Sequence, residues 1–219
     1  MRLVFPLLNE PFDLRDDMVN QIIFESPTIM FSFVNQIYEQ INKHDGDIIL
    51  SEKDKLIDIS KVIDLTTDYF PFDINRKALV SKLQSFLKMY AVSEYTLELD
   101  ELVSCVSRFL SELSERTEFL VDYDDIDVSG LLKIANVRFS VESDRLIEQV
   151  VDYCKSTVNL CGEKLFIFVS LRNYISEEEF YDFRKMVVDN KLRVLLIEAI
   201  ERGADGLNNL IIDRDLCVI

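Results

Sequence analysis

Lys164-Leu165-Phe166-Ile167-Phe168-Val169 is the stretch on which the fold turns. Five apolar residues follow one lysine with no polar interruption. A strand with one wet face alternates in polarity; a continuous apolar run of this length is buried on both faces, as in a parallel sheet. Towards the C-terminus, Ser176-Glu177-Glu178-Glu179 has the serine and glutamate of a capping box. Phe180, Phe183 and Val187 then repeat at helical spacing. Residues 193–197 form a second buried strand and 209–213 a third. Strand, helix, strand at this spacing predicts a right-handed βαβ unit. Asp213 and Asp215 are read as a turn before a terminal strand, 216–219.

Towards the N-terminus, Leu146, Ile147, Val150, Val151, Cys154 and Val158 share one helix face, with Ser143 or Asp144 as its cap. A strand at 137–141 and a short helix at 128–134 precede it. Further back lie two long apolar stripes. Leu79, Leu83, Phe86, Leu87 and Tyr90 form one; Leu99, Leu102, Val103, Val106, Phe109, Leu110 and Leu113 form the other. Joined around Ser93-Glu94, they predict an antiparallel helical hairpin whose stripes are buried against its own short helices or a partner subunit. The N-terminal part predicts a hairpin of 3–8 with 12–14 around Asn9-Glu10-Pro11, and a strand at 20–24. A helix follows with Ser26 as N-cap and Pro27 at its first position, then a strand at 48–50. Residues 51–61 read as a hairpin or an irregular edge. The class is therefore α/β, with a helical segment inserted between an N-terminal β segment and the C-terminal sheet.

The joint between helical segment and sheet is Glu118-Phe119-Leu120-Val121-Asp122-Tyr123-Asp124-Asp125-Ile126-Asp127. Carboxylates this close repel one another, so the stretch is an exposed turn or holds a cation such as Ca2+ or Mg2+. It lacks the glycine and the terminal glutamate of an EF-hand loop.

The 219 residues carry 24 Lys and Arg against 40 Asp and Glu, a net charge of −16. That excess opposes nucleic-acid binding unless cations collect on one face or bound metal masks the acids. No apolar run reaches the roughly 20 residues of a membrane span, and the N-terminus does not read as a signal peptide. A cytoplasmic protein is expected. Cys105, Cys154, Cys161 and Cys217 form no CxxC pair, and Cys105 and Cys154 fall on apolar stripes, which predicts buried free thiols. The single histidine, His44, lies in a polar run. Neither GxxxxGK[ST] nor GxGxxG occurs, and Arg202-Gly203-Ala204-Asp205-Gly206 lacks a phosphate-binding lysine.

Five motifs, in order along the chain, resemble the Csn-two proteins, the small accessory adaptation proteins of type II-A CRISPR loci. Phe5-Pro6-Leu7-Leu8-Asn9-Glu10-Pro11 is similar to that family's opening, and Thr67-Asp68-Tyr69-Phe70-Pro71-Phe72-Asp73-Ile74-Asn75 to its Thr-Asp-Ile-Leu-Gly-Phe-Asp-Val-Asn. Lys164 to Val169 resembles its Lys-Leu-Leu-Ile-Phe-Val strand, and Leu195-Leu196-Ile197-Glu198 its Leu-Phe-Leu-Glu. The ending Ile211-Ile212-Asp213-Arg214-Asp215-Leu216-Cys217-Val218-Ile219 resembles the family's Ile-Leu-Asp-Glu-Asp-Tyr-Phe-Leu-Ile.

The resemblance implies an α/β head with a mixed sheet, related to P-loop NTPases but without their phosphate loop, and an inserted α-helical leg. Residues 1–60 and 134–219 would form the head, and 61–133 the leg. It implies a homotetramer, a ring around linear double-stranded DNA, bound without regard to sequence and stabilised by Ca2+. Such a ring is not an enzyme; it acts in spacer acquisition beside the spacer integrase complex and the RNA-guided effector nuclease. Carried onto this chain, the family's acidic run places candidate Ca2+ ligands at Asp122, Asp124 and Asp125. Leu120 and Gly130 stand where the family has acids, and Glu118 or Asp127 is left to compensate. Lys53, Lys55, Lys61, Lys133 and Arg76 are the candidate DNA contacts; each has a solvated surface cation as its alternative. Two other readings remain: a metal-dependent nuclease or nucleotide hydrolase on the α/β head, and a protein-interaction module.

Overall fold

The computed structural model describes residues 1–8, 10–203 and 205–219. The chain divides into two compact units, one formed by Met1–Phe72 with Ser143–Ile219 and the other by Asp73–Glu142.

The first unit begins with β1 (Arg2–Val4) paired antiparallel to β2 (Phe12–Asp13), Leu3 opposite Phe12. This is the expected hairpin with shorter strands; Asn9 of its turn lies outside the described residues. β3 (Val19–Phe24) is buried at all six positions. α1 (Pro27–Ile41) opens on Pro27 after Ser26, whose side chain makes no capping bond. Its Phe33 packs on Phe5 and Phe24, with ring centroids 4.5 and 5.0 Å away. β4 (Ile49–Glu52) and β5 (Lys55–Ile57) make a tight hairpin with Glu52 opposite Lys55. Its two turn residues, Lys53 and Asp54, both have positive φ, 50° and 61°, as a two-residue loop matched to strand twist requires. The single turn α2 (Ile59–Val62) runs straight into β6 (Ile63–Thr66). No strand is expected from the sequence there; the charged Asp64 interrupts a run only four residues long.

The second unit contains α3 (Lys77–Glu94), α4 (Thr96–Glu115) and α5 (Val128–Ile134). The short helix is found where it was expected. Tyr95 alone separates α3 from α4. The expected pair does not bury its stripes on itself: α3 buries Leu79 and α4 buries no residue. Cys105, expected to be buried, is exposed on α4. The expected strand at 137–141 is absent. The side-chain amide of Asn75 brackets Phe139, accepting from its N–H at 2.8 Å and donating to its carbonyl at 3.2 Å; Gln84 donates to the Val137 carbonyl at 3.2 Å. Side-chain amides here replace a neighbouring strand as hydrogen-bond partners.

Back in the first unit, α6 (Leu146–Cys161) follows Arg145, not Ser143 or Asp144; Ser143 Oγ instead accepts from the Arg145 N–H at 3.1 Å. β7 (Leu165–Val169) leads through the 3₁₀ turn Leu171–Asn173 to α7 (Glu177–Asp189), which starts with the expected capping box of Ser176 and Glu179. β8 (Arg193–Glu198) and β9 (Leu207–Ile212) complete the unit. The chain then turns at Asp213, whose Oδ1 accepts from the N–H groups of Asp215 and Cys217, both at 2.8 Å. Ile219 pairs back with Ile211.

The fold is mixed α/β. β2-β1-β4-β5 form an antiparallel sheet, and β6-β7-β8-β3-β9, in that order, a fully parallel one. β3 comes from the N-terminal part yet lies between β8 and β9, Ile22 opposite Ile197 and Leu210. Its burial follows from that place. Leu3, Phe5, Phe24, Phe33, Ile37, Leu50, Leu165 and Ile197 belong to one core cluster that both sheets share. Two polar residues of β3 are buried with it, Asn20 and Gln21. Asn20 Nδ2 donates to the carbonyls of Arg15 and Val194, each at 3.0 Å, while its Oδ1 accepts from the Arg15 N–H and from Asn208 Nδ2, each at 2.8 Å. A fully satisfied buried amide of this kind specifies strand register.

Candidate nucleic-acid and cation sites

The acidic joint is exposed along Glu118, Asp122, Asp124 and Asp125. Among the described residues, no three His, Cys, Asp or Glu side chains stand together as a metal-binding group. Asp122 Oδ1 accepts from the Tyr123 N–H at 2.9 Å. Asp127 serves another purpose. It is the N-cap of α5, accepting from the Gly130 N–H at 2.7 Å and from Lys88 Nζ at 3.2 Å. The Gly130 backbone bond, and after it Lys88, hold its carboxyl below the usual range.

The candidate cations fall in both units. In the first, Lys53 lies in the β4–β5 turn and Lys55 opens β5; both are exposed and neither enters an ion pair among the described residues. Lys61 Nζ reaches Asp58 Oδ2 at 3.1 Å, an exposed contact. Lys61 also borders an open groove of about 500 Å³ with Lys43 and His44, along Leu50 and Ile57. His44 Nδ1 is 2.8 Å from a Glu39 carboxylate oxygen. In the second unit, Arg76 precedes α3 half-buried, and Lys133 is exposed in the last turn of α5.

The most constrained charged cluster was not anticipated. Arg172, in the 3₁₀ turn after β7, is 2% exposed. Its Nη1 donates to Gln21 Oε1 at 3.3 Å and to the Gly203 carbonyl at 3.4 Å. Its Nη2 donates to both Glu177 carboxylate oxygens, at 3.0 and 3.1 Å, and to the Arg202 carbonyl at 2.5 Å. The guanidinium lies 4.2 Å from the centroid of the Phe180 ring. The Arg172 N–H donates to Glu198 Oε1 at 3.1 Å. Burial at the end of β8 pushes the Glu198 carboxyl up to about 7, against the opposing pull of that bond and of the Arg172 and Arg202 charges. An arginine just after a strand carries no sequence signal of burial; only the return of the 199–203 loop over it encloses it.

For the nucleotide-hydrolase alternative, the relevant crossing is from β3 to α1. Only Glu25 and Ser26 lie between them, and neither is a glycine. No phosphate-wrapping loop is formed at that helix start.

The family model for CRISPR-associated protein (Cas_Csn2) matches residues 40–216. The CRISPR-associated protein Csn2 of Streptococcus agalactiae is 21% identical over 222 residues, covering 100% of this chain and 97% of the relative. The CRISPR-associated protein Csn2 of Enterococcus faecalis is 25% identical over 203 residues, covering 90% of each. Given a family match that runs from the end of α1 to the terminal turn, the chain belongs to the Csn2 family of CRISPR-associated proteins.

Proposed function

We propose that this protein is a non-catalytic, sequence-independent binder of double-stranded DNA ends that acts as a homotetrameric ring in spacer acquisition and antiviral defence. Family membership carries the reading, since it supplies the CRISPR association. Two features of the chain support the finer statement. The β4–β5 hairpin presents Lys53 and Lys55, neither in an ion pair among the described residues, on a chain of net charge −16, the kind of phosphate contact that ignores sequence. And α4, 20 residues long, carries an apolar stripe yet has no fully buried residue in its own chain, which suits burial between subunits. In this reading the two sheets form a head related to nucleotide hydrolases and the helical unit a leg.

Lys61, Lys133 and Arg76 complete the proposed DNA contacts. Asp122, Asp124, Asp125 and Glu118 are the proposed Ca2+ ligands; no three of them stand together as a metal-binding group in the single chain, so a cation that takes about six to eight oxygens would have to draw them together with carbonyls, water or another subunit. The ring would work in the cytoplasm beside the spacer integrase complex and the RNA-guided effector nuclease.

The test is a gel shift with linear DNA and a covalently closed circle of the same sequence, in Ca2+ and in chelator. Binding to the linear form alone, lost in chelator, is the expected result. Equal binding to both forms would replace a threaded ring by an open clamp. Binding to neither would leave a protein-interaction module, and Mg2+-dependent cleavage lost in Asp124→Ala would favour the nuclease.

A further inference from the structure

We propose that the cleft over Arg172 is a binding site for a small oxyanion of the phosphate type, free or as a monoester. The proposal is independent of the DNA-binding reading. Its place in the fold comes first. β3 and β8 are neighbours in the parallel sheet, but their onward connections part: from β8 the chain crosses β3 to β9, whereas from β3 it goes to β6 beyond β8 and β7. Such a parting is the topological switch point, and open parallel sheets bind ligands there, outside the carboxyl ends of the strands. Arg172 follows the end of β7; its N–H contacts the side chain of Glu198 at the end of β8, and its guanidinium reaches back to Gln21, midway along β3.

The chemistry of the cleft comes next. It has a volume of about 250 Å³, and Arg172, Arg184 and Arg202 line it together with Glu177, Phe180 and Asp205. Three guanidinium groups converge where the chain as a whole carries net charge −16. Arg184 Nη1 donates to the Asp205 carbonyl at 2.6 Å, and Arg202 Nη2 donates to Asn173 Oδ1 at 2.5 Å. These bonds fix the guanidiniums without neutralising them. Arg172 is held by Gln21 and by the Phe180 ring that lines the cleft, so its guanidinium is already fixed before a ligand arrives. Planar guanidinium groups match tetrahedral and carboxylate oxyanions better than ammonium groups do.

One carboxylate occupies the position a ligand would take. Glu177 puts both oxygens on the single Nη2 of Arg172, while Arg172 Nε is buried without a hydrogen-bond partner among the described residues. The Glu177 side chain is 69% exposed, so swinging it into solvent exposes little that is now covered. An incoming oxyanion would replace its charge, and a small group suits a cleft of this size. Arg172 and Glu177 act as an internal pair when the site is empty and as receptor and gate when it is filled.

The experiment is a calorimetric titration of the full chain with inorganic phosphate at constant ionic strength, with glycerol phosphate in parallel. Saturable binding of at least one of them at one site per chain is expected. Arg184→Gln weakens it about tenfold, and Glu177→Gln tightens it several-fold because the competing carboxylate is gone. The opposite signs of the two variants separate a built site from general attraction to surface cations. A response to glycerol phosphate alone assigns the monoester as ligand, and a response to both assigns the phosphate group itself. No saturable heat with either ligand, or the same affinity in wild type and both variants while each keeps its circular dichroism spectrum, would overturn the proposal.

Discussion

Asn208 Nδ2 donates to Asn20 Oδ1 at 2.8 Å across two parallel strands whose residues at this level are register partners. Asn20 also holds both the N–H and the carbonyl of Arg15 and the carbonyl of Val194. Asn20→Leu keeps the branched shape of the side chain but orphans several of these groups inside the sheet. A loss of about 2–4 kcal/mol in urea denaturation is expected, since each stranded buried group costs roughly 1–3 kcal/mol. Asn208→Ala, which removes the donor to Asn20 and to the Asp13 carbonyl on the half-buried edge strand, should cost less, because Asn20 keeps its other bonds. Equal losses would show that register is set elsewhere.

Arg193 gathers three carboxylates from separate parts of the first unit: Asp16 at 2.8 Å, Glu52 at 3.0 Å and Glu163 at 3.3 Å. Arg193→Met leaves the three acids facing one another. It is expected to lower stability by about 2 kcal/mol at low salt, with the gap to wild type narrowing as salt rises and screens that repulsion. Thermal melts of both proteins across a salt series measure this.

Glu198 titrates at about 7 in the fold against 4.5 in an open chain, because burial disfavours its charge. Between these values the folded state holds a proton that the unfolded state has lost. The stabilising contribution is therefore complete below pH 4.5 and is lost as pH rises through 7. Glu198→Gln, which has no proton to lose, should show a flatter decline across that window. The variant is expected to gain on wild type by at most about 3 kcal/mol between pH 5 and pH 8. Parallel pH profiles of unfolding free energy would reject the assignment.

Lys53 and Lys55 lie at one hairpin tip. If both contact phosphate, the double variant Lys53→Gln/Lys55→Gln should bind linear DNA more weakly on every sequence tested. The slope of log affinity against log salt should shrink by about two units. An unchanged slope removes this hairpin from the interface.

The stripe on α4 gives the last test. Val106 and Leu110 are half-buried and Leu102 is exposed on a helix with no fully buried residue. Val106→Glu should leave the helical content intact while reducing the assembly to smaller species in light scattering. Retention of the same mass would place the subunit contacts on another surface.

The sequence by itself determined the elements whose chemistry is local. The unbroken apolar run at 165–169 can be covered only from both sides, so a buried parallel strand was legible there. The capping box at Ser176, the proline start of α1 and the helix at Val128–Ile134 depend on neighbours a few residues apart, and all three are found. The family was legible for a related reason: its motifs are short and keep their order, and the family model matching residues 40–216 bears out the family. Tertiary structure decided what depends on distant residues. No local pattern marks Ile63–Thr66 as a strand; it pairs with β7 only because α2 delivers it to that edge. Val137–Val141 has strand composition but finds Asn75 and Gln84 where a ladder partner would be needed. Asp127 is one of several similar acids in sequence, and only the position of Lys88 and of the α5 N–H groups makes it a cap. Arg172 is the clearest case. Burying a guanidinium requires acceptors from Gln21, Glu177, Arg202 and Gly203 at once, and segments so far apart meet only when the parallel sheet has closed.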